Sequence, residues 1–490
     1  MLGSWEAIVS GSILCLFVLS IVATSHFNLA GPRPLHFSHI ALLSILLALT
    51  GIVFFKRLKI IAINTEFKSF GDLAGHYYQI AYLRLVVLLI GVLFALSCLG
   101  LLFICLKSLF LILGTDVPLG RLQSPFSKGL LSLQFASGPG FTGMTKTNLV
   151  LISCFIALIG IQISPLFTQF IFLVKNKSAI ASQLVWGTGF FNGGVMLCFA
   201  TGLAFFVGDL NSRQLSEMSK GGGDLDFFFQ GLPLHFLVLF CLLAVTSFFI
   251  LGMTLIKIIY SLLIAELTPH KKDTKTSNID QNRFILFVTL AISFMSFALA
   301  FYFPDLFFIL IGLSIAFSFQ LLPALIGICY VPTFNGLGVL AGLIVGLAIV
   351  VLTQQTSPFF LFDTASFGIH STIWAGMVNF LITIIISLIT QSRNAFAHRL
   401  KYHELYEDQL DSSQKSSLLI HCSWGLLFIW FFFAIGPGAF LGSEIFTSAN
   451  DAEGSLFASP PILIWHFIWW VVGVFLIWLL AHSLRFNKDQ

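Results

Sequence analysis

The chain has 490 residues, of which 57% are hydrophobic and 9% are Asp, Glu, Lys or Arg, whereas roughly 25% of the residues in a soluble domain are charged. This composition excludes an ordinary soluble globular protein and makes the lipid bilayer the expected partner. The formal net charge of +4 is too small for the basic surface that binds nucleic acid, so no nucleic-acid partner is expected.

Twelve apolar windows predict membrane helices, since a transmembrane helix needs about 20 apolar residues. They are continuous runs of Leu, Ile, Val and Phe and lack the alternation of a β-barrel strand. In chain order they lie at 5–25, 37–55, 80–113, 148–173, 186–208, 233–265, 283–303, 306–328, 335–353, 370–390, 417–441 and 461–484. The first has no convincing cleavage site, so we expect it to be retained. The sequence predicts an all-α integral membrane protein with about twelve transmembrane helices.

Basic residues between the windows predict the orientation, because cytoplasmic loops carry the excess of Lys and Arg. The basic segments, which all follow even-numbered windows, are 56–59, 175–177, 270–283, 393–401 and 485–488. Segments after odd-numbered windows are acidic or mixed and contain Asp305, Asp363 and Glu444. The pattern predicts a multi-pass protein of the plasma membrane, here the bacterial inner membrane, with both termini in the cytoplasm.

Three connections leave alternatives open. The long, glycine-containing segments 114–147 and 209–232 are either re-entrant loops over a substrate path or plain surface loops, and loop-length statistics favour the latter. The charged stretch 391–416 has a spacing that suits an interfacial amphipathic helix, although a solvated linker fits almost equally well.

Five short motifs follow one another along the chain. They are FKSFGDLA at 67–74 before His76 and Tyr77, the Pro165 turn within 161–169, SFQLLPALIG at 318–327, Asn335 and Gly336 before Gly338, Gly342 and Gly346, and Trp374 and Asn379 before SLIT at 387–390. Their types and order resemble the sodium:solute symporter family over about 65–390, most strongly at 305–390. Glycines at this spacing also simply allow membrane helices to pack closely.

The resemblance implies a LeuT-like, APC-type symporter bundle that carries a small solute by alternating access. Family members have further helices before Ser69 and between Gly114 and Asn148, so the implied bundle lacks some core helices. The expected organisation is an N-terminal hairpin at 1–60, a symporter-like core at 61–391, a cytoplasmic amphipathic linker at 392–416 and an accessory hairpin at 417–490. A symporter-derived sensor or assembly subunit that transports nothing is the alternative.

Enzymatic chemistry is not indicated, because the chain offers no nucleophile–base arrangement and no phosphate-binding loop in a suitable context. We expect no metal site and no cofactor, and Na⁺ enters only as a candidate coupling ion. Arg84 and Lys107, near the ends of one long helix, are expected to reach lipid headgroups.

Ionisable residues inside a span are costly and therefore indicate function, and Lys257 lies well inside the sixth window. By position in the family, Thr254 of that window matches a sodium-binding hydroxyl, so the Lys257 ammonium could take the place of the cation. Alternatively, Lys257 snorkels to the cytoplasmic face. The residues expected to line the ion and substrate pathway are Thr254, Lys257, Gly252, Tyr260, Gln320, Asn192 and Gln162, although interhelical hydrogen bonding is the commoner use of such polar groups.

Overall fold

The structure, a computed structural model, describes residues 6–15, 35–65, 67–114, 158–175, 177–208, 234–267, 278–353, 371–411, 417–435, 438, 441 and 461–483. The predicted loops at 114–147 and 209–232 lie outside these ranges apart from residue 114. The segments from which core helices are predicted to be missing also lie partly outside them. Those predictions therefore stay predictions.

Helices account for nearly all of the described chain. In order they are α1 (Glu6–Cys15), α2 (Leu35–Thr65), α3 (Phe70–Tyr77), α4 (Ala81–Gly114), α5 (158–163), α6 (Pro165–Leu173), α7 (177–208), α8 (Leu234–Leu267), α9 (Asn278–Tyr302), α10 (Pro304–Phe319), α11 (Leu322–Cys329), α12 (Gly336–Thr353), α13 (Ser371–Ile389), α14 (Arg393–Asp411), α15 (Ser417–Ala434) and α16 (Pro461–Ser483). Each predicted window contains at least part of one helix. Within the described ranges, eight helices are long and apolar enough to cross a membrane. The predicted all-α membrane fold is confirmed.

Within the described residues, two of the apolar windows are broken and a third contains a π-helix. Ser164 separates α5 from α6, and its hydroxyl accepts a hydrogen bond from the Phe167 amide (3.4 Å). A turn at Gln320 and Leu321 separates α10 from α11. The middle of α7, Gln183–Asn192, is a π-helix. Discontinuous helices and π segments expose backbone groups, which is why they are common around the binding sites of transporters.

Three basic residues in the last third of α2 hold the ends of three other helices. Their side-chain nitrogens donate to backbone carbonyl oxygens: Lys56 to Ala481 (3.4 Å), Arg57 to Cys329 (2.6 Å) and Lys59 to Ile171 (3.1 Å) and Val174. The acceptors lie at or beside the C-terminal turns of α16, α11 and α6. Carbonyls there lack intrahelical donors and carry the negative end of the helix dipole, so cations bind them favourably.

These contacts place the ends of four helices at one face of the bundle. Arg84, at the start of α4, donates to the carbonyl oxygen of Ala265 in the last turn of α8 and adds a fifth helix end to the same face. All five of these helices belong to even-numbered windows. This grouping agrees with the alternation predicted from the loop charges, which as a whole stays a prediction. The assignment of this face to the cytoplasm remains a prediction.

Glycines of α12 allow it to pack very closely against α13. A Cβ atom added to Gly342 would lie 2.6 Å from the backbone oxygen of Asn379 and would also meet the Thr383 side chain. At Gly346 it would lie 2.6 Å from Oε1 of Gln320. The glycine-rich motif thus serves close helix packing.

Residues 393–411 form the helix α14. They lie in the charged stretch 391–416, for which the sequence allowed either an amphipathic helix or a solvated linker. Helix α14 lies across α3: Nδ1 of His76 is 2.6 Å from the Tyr402 hydroxyl, and Nε2 of His403 is 2.9 Å from the Tyr77 hydroxyl. Arg399 donates from Nε to the carbonyl oxygen of Pro332 (2.9 Å), in the turn after α11. Helix α14 therefore joins α3 to the end of the broken eighth window.

Burial, together with a smaller contribution from the nearby Arg57 guanidinium, lowers the pKa of His403 from 6.5 to about 4. The Tyr77 hydroxyl also donates to the carbonyl oxygen of Gly327 (2.9 Å), so the neutral imidazole donates from Nε2 to the Tyr77 oxygen. No carboxylate contributes to the shift, and Arg57 and Arg399 both oppose a positive charge on this ring.

The close approach of α12 to α13 predicts that Gly342→Ala destabilises the fold by about 1–3 kcal/mol, because overpacking forces neighbouring backbone to move. Gly425→Ala is the matched control, since a Cβ at Gly425 meets no atom within 4 Å. Thermal unfolding in detergent measures both variants. Equal unfolding temperatures for the two would contradict the packing.

The low pKa of His403 predicts a specific pH dependence. The unfolded chain binds a proton at this histidine below about pH 6.5, whereas the folded chain does so only near pH 4, so stability falls as the pH is lowered through that interval. His403→Gln is expected to flatten the pH dependence of the unfolding temperature between pH 7 and 4.5. An unchanged slope in the variant would show that this ring does not cause it.

Candidate functional site

Three of the predicted pathway residues meet at one cleft. Thr254, Lys257 and Tyr260 of α8 line an open cleft of about 470 Å³. The remaining walls come from α1, the end of α6 and α9, and they include Glu6, Ser10, Leu173, Leu286 and Thr289. The lining is mainly apolar with a few hydroxyl groups, which is the usual character of a small-molecule site.

Lys257 is exposed to this cleft, at a depth where the surrounding helix is membrane-spanning. It lies about 15 Å along the axis from the end of α8, at 1.5 Å per residue. Within the described ranges its ammonium has no hydrogen bond or ion pair. Helix α8 is continuous from Leu234 to Leu267, so it supplies no unwound carbonyls; residues 16–34, which follow α1, lie outside the described residues.

Gly252 does not line the cleft, although it lies on the same helix. Its missing side chain faces Leu102 of α4, which would lie 3.2 Å from a Cβ atom. The position therefore serves the packing of α8 on α4.

Gln162 and Asn192 lie in a second group, a buried polar seam between α1, α2, α5 and the π segment of α7. Gln162 donates from Nε2 to the carbonyl oxygen of Leu47 (2.8 Å) and accepts from the Thr50 hydroxyl. Asn192 donates from Nδ2 to the carbonyl oxygen of Ser12 (3.1 Å). Its Oδ1 is buried without a donor in the part of the chain that the structure describes. Hydrogen bonding between helices accounts for most of this seam.

Gln320 belongs to a third group, at the break between α10 and α11. Its Nε2 donates to the carbonyl oxygen of Thr372 (3.3 Å), and its backbone oxygen accepts from Nδ2 of Asn379 (2.8 Å). Asn335, Ser387 and Thr390 form a similar network at the other end of α13. The polar motif residues thus fix α13 against its neighbours. The structure divides the seven predicted residues among four places, because Gly252 lies apart from the cleft and from both polar groups.

A buried ionic cluster at the end of α8 is absent from the sequence predictions. Glu266, whose side chain is 0% exposed, is 2.7 Å from Nε of Arg84 and accepts a hydrogen bond from the Ser69 hydroxyl (2.6 Å). Asp72 of α3 is 3.7 Å from Nη1 of the same arginine. The expectation that Arg84 reaches lipid headgroups is wrong, because its guanidinium is held between α3 and α8.

Two sequence signals could have found this pair. Glu266 and Arg84 have opposite charges, and both lie at span ends that the loop charges assign to one face. The positions in sequence are far apart, however, so only the packing of α4 on α8 selects this partner. Lys107, at the other end of α4, is exposed and has its Nζ 4.9 Å from the centre of the Phe301 ring.

Among the described residues, no group of three or more His, Cys, Asp or Glu side chains is arranged to hold a metal ion.

Comparison with solved structures gives a similar fold. A Na⁺-coupled sialic acid symporter, solved in a substrate-bound outward-open state, superposes with a TM-score of 0.53 at 14% sequence identity. The match covers 79% of this chain and 90% of that chain. At this identity the likeness shows the fold alone. No protein-family model and no curated protein sequence matches the chain.

The ionic cluster predicts that Arg84→Met lowers the unfolding free energy by about 3 kcal/mol, because it leaves the Glu266 carboxylate buried without its cation. The double variant Arg84→Met/Glu266→Met should recover part of that loss. Lys401→Met, at an exposed lysine of α14, is the control and should change stability little. Additive losses in the double variant would mean that the two groups do not stabilise each other.

Proposed function

We propose that this chain is a secondary active transporter of a small solute and a divergent, shortened member of the sodium:solute symporter family. It works by alternating access, in which the helix bundle opens a central site to each side of the membrane in turn. We place it in the bacterial inner membrane. The helix ends that Lys56, Arg57, Lys59 and Arg84 bind, here called the clamped face, lie in the cytoplasm. Its partners are the lipid bilayer and the solute.

Two independent lines support the proposal. The ordered motifs at 67–74, 318–327 and 387–390 resemble that family, and the fold is similar to that of a solved symporter. The observation that carries the proposal is the cleft between α1 and α8, which places Thr254, Lys257 and Tyr260 on one wall. A cleft of about 470 Å³ is large enough for a small organic solute.

Lys257 gives the coupling proposal. Thr254 stands where the resemblance places a sodium-binding hydroxyl, and the Lys257 ammonium is one helical turn away on the same cleft. A fixed positive charge there would replace the coupling cation, so that transport needs no sodium or is driven by protons. An ammonium at membrane depth costs several kcal/mol. A lysine is therefore expected at position 257 only if its charge has a function.

The first experiment measures uptake into proteoliposomes that contain the purified chain. Labelled amino acids, short carboxylates and vitamins are offered with and without a sodium gradient, and with and without a proton gradient. We expect accumulation of at least one class without sodium. If no compound is taken up under any condition, transport is rejected and a non-transporting membrane sensor or assembly subunit is favoured.

The second experiment replaces Lys257 by Met in the same assay. If the ammonium takes the place of a cation, the variant should either lose uptake or gain a requirement for sodium, whereas Lys401→Met should behave as the unmodified chain. Unchanged uptake with unchanged dependence on sodium and pH would remove Lys257 from the coupling mechanism and leave the snorkelling explanation.

A further inference from the structure

The carboxylate of Glu266 is the centre of the contact between α8 and the short helix α3. Ser69, which caps α3, donates its hydroxyl proton to Oε1 of Glu266 and accepts from the Asp72 amide (3.0 Å). A Cβ atom at Gly71 would collide with the same carboxylate. The carboxylate therefore lies directly against the first turn of α3 and is removed from water.

The charges around Glu266 do not balance within the described residues. Helix α4 contributes the Arg84 guanidinium, and α3 contributes the Asp72 carboxylate. Helix α6 contributes only the neutral Gln169, whose Nε2 binds the carbonyl oxygen of Lys68 and the Ser261 hydroxyl, both at 2.9 Å. The side chain of Lys68 is exposed. Two carboxylates thus share one cation, the partly buried Arg84 guanidinium, and one proton would neutralise the excess negative charge.

Arg84 can keep a counter-ion when Glu266 is protonated. Its Nη1 already lies 3.7 Å from Asp72, and its Nη2 already donates to the carbonyl oxygen of Ala265. A shift of less than 1 Å would convert the first contact into a hydrogen-bonded ion pair, which needs about 2.8 Å. Protonation of Glu266 therefore leaves no unpaired cation behind.

We propose that Glu266 is a proton-binding site, and that binding the proton loosens α3 from α8. A proton from water at this face adds to the carboxylate, and no other bond is made or broken. The ion pair between Arg84 and Glu266 is lost, and Arg84 moves to Asp72. The Ser69 hydroxyl, which now donates to a charged carboxylate, is then hydrogen-bonded to a neutral carboxylic acid. The link between α3 and α8 becomes an ordinary hydrogen bond.

The same helix carries Glu266 and Lys257, about 13 Å apart along an axis that is unbroken. A change at the end of α8 is thereby connected by a rigid element to the cleft. The role of this proton as a coupling ion rests on the proposed transport function, whereas its binding and its effect on α3 do not.

Infrared spectroscopy of the chain in lipid nanodiscs tests the binding without any solute. The pH is titrated, and the C=O band of protonated carboxyl groups is followed in the unmodified chain, in Glu266→Gln and in Glu404→Gln, which changes an exposed glutamate of α14. We expect one buried carboxyl band that titrates in the unmodified chain and in Glu404→Gln and is missing in Glu266→Gln. The same band in all three would overturn the proposal.

A second variant keeps the test decisive if Glu266→Gln folds poorly. Asp72→Asn removes the competing negative charge, so the Glu266 band should appear only at lower pH than in the unmodified chain. An unmoved midpoint would show that Asp72 does not act on Glu266 and would contradict the charge argument.

Hydrogen–deuterium exchange at a fixed pH tests the effect on α3. Glu266→Gln imitates the protonated acid, so amides of residues 69–80 should exchange about tenfold faster than in the unmodified chain, the change expected for the loss of one charge-assisted hydrogen bond. Glu404→Gln should leave them unchanged. Equal exchange in all three chains would overturn the loosening of α3. If the Glu266 band titrates but no compound is taken up, transport is rejected and the proton-binding site at Glu266 is still supported.

Discussion

The arrangement of this bundle depends on basic side chains that bind carbonyl oxygens at helix C-termini. Such carbonyls have no partner within their helix, and a membrane protein cannot leave them unsatisfied in lipid. Lys56, Arg57 and Lys59 extend from one helix end and bind three others, while Arg84 binds a fourth. Lys56, Arg57 and Lys59, which belong to one of the basic segments predicted to orient the chain, thus also hold helix ends together.

The clamped face is covered by α3 and α14, which lie across the helix ends. Helix α3 is held by Glu266 on one side and by α14 on the other, where His76 and Tyr77 contact Tyr402 and His403. A carrier must open such a face to release its solute. Helix α3 joins the end of α8 to α14 through these polar links and through its own buried Phe70, Leu73 and Tyr77.

The sequence was sufficient for the all-α membrane fold, because hydrophobic length acts locally, whereas the alternation inferred from loop charge stays a prediction. Thr254, Lys257 and Tyr260 share one cleft because they lie three residues apart on one helix, and their role in a pathway stays a prediction. Gln320 and Gly252 serve packing contacts that depend on which helices become neighbours. The pairing of Arg84 with Glu266 depends on the same long-range choice. Periodicity and charge along the chain do not encode that choice.

The most direct test of the account is the side of the membrane from which the helix ends are accessible. Single cysteines replace the exposed residues Lys175, Leu267, Thr390 and Phe303 in a chain whose eight native cysteines are removed, and a membrane-impermeant maleimide is applied to oriented vesicles. The account predicts that the first three are labelled only from the cytoplasmic side and Phe303→Cys only from the opposite side. Labelling of the first three from different sides would contradict it.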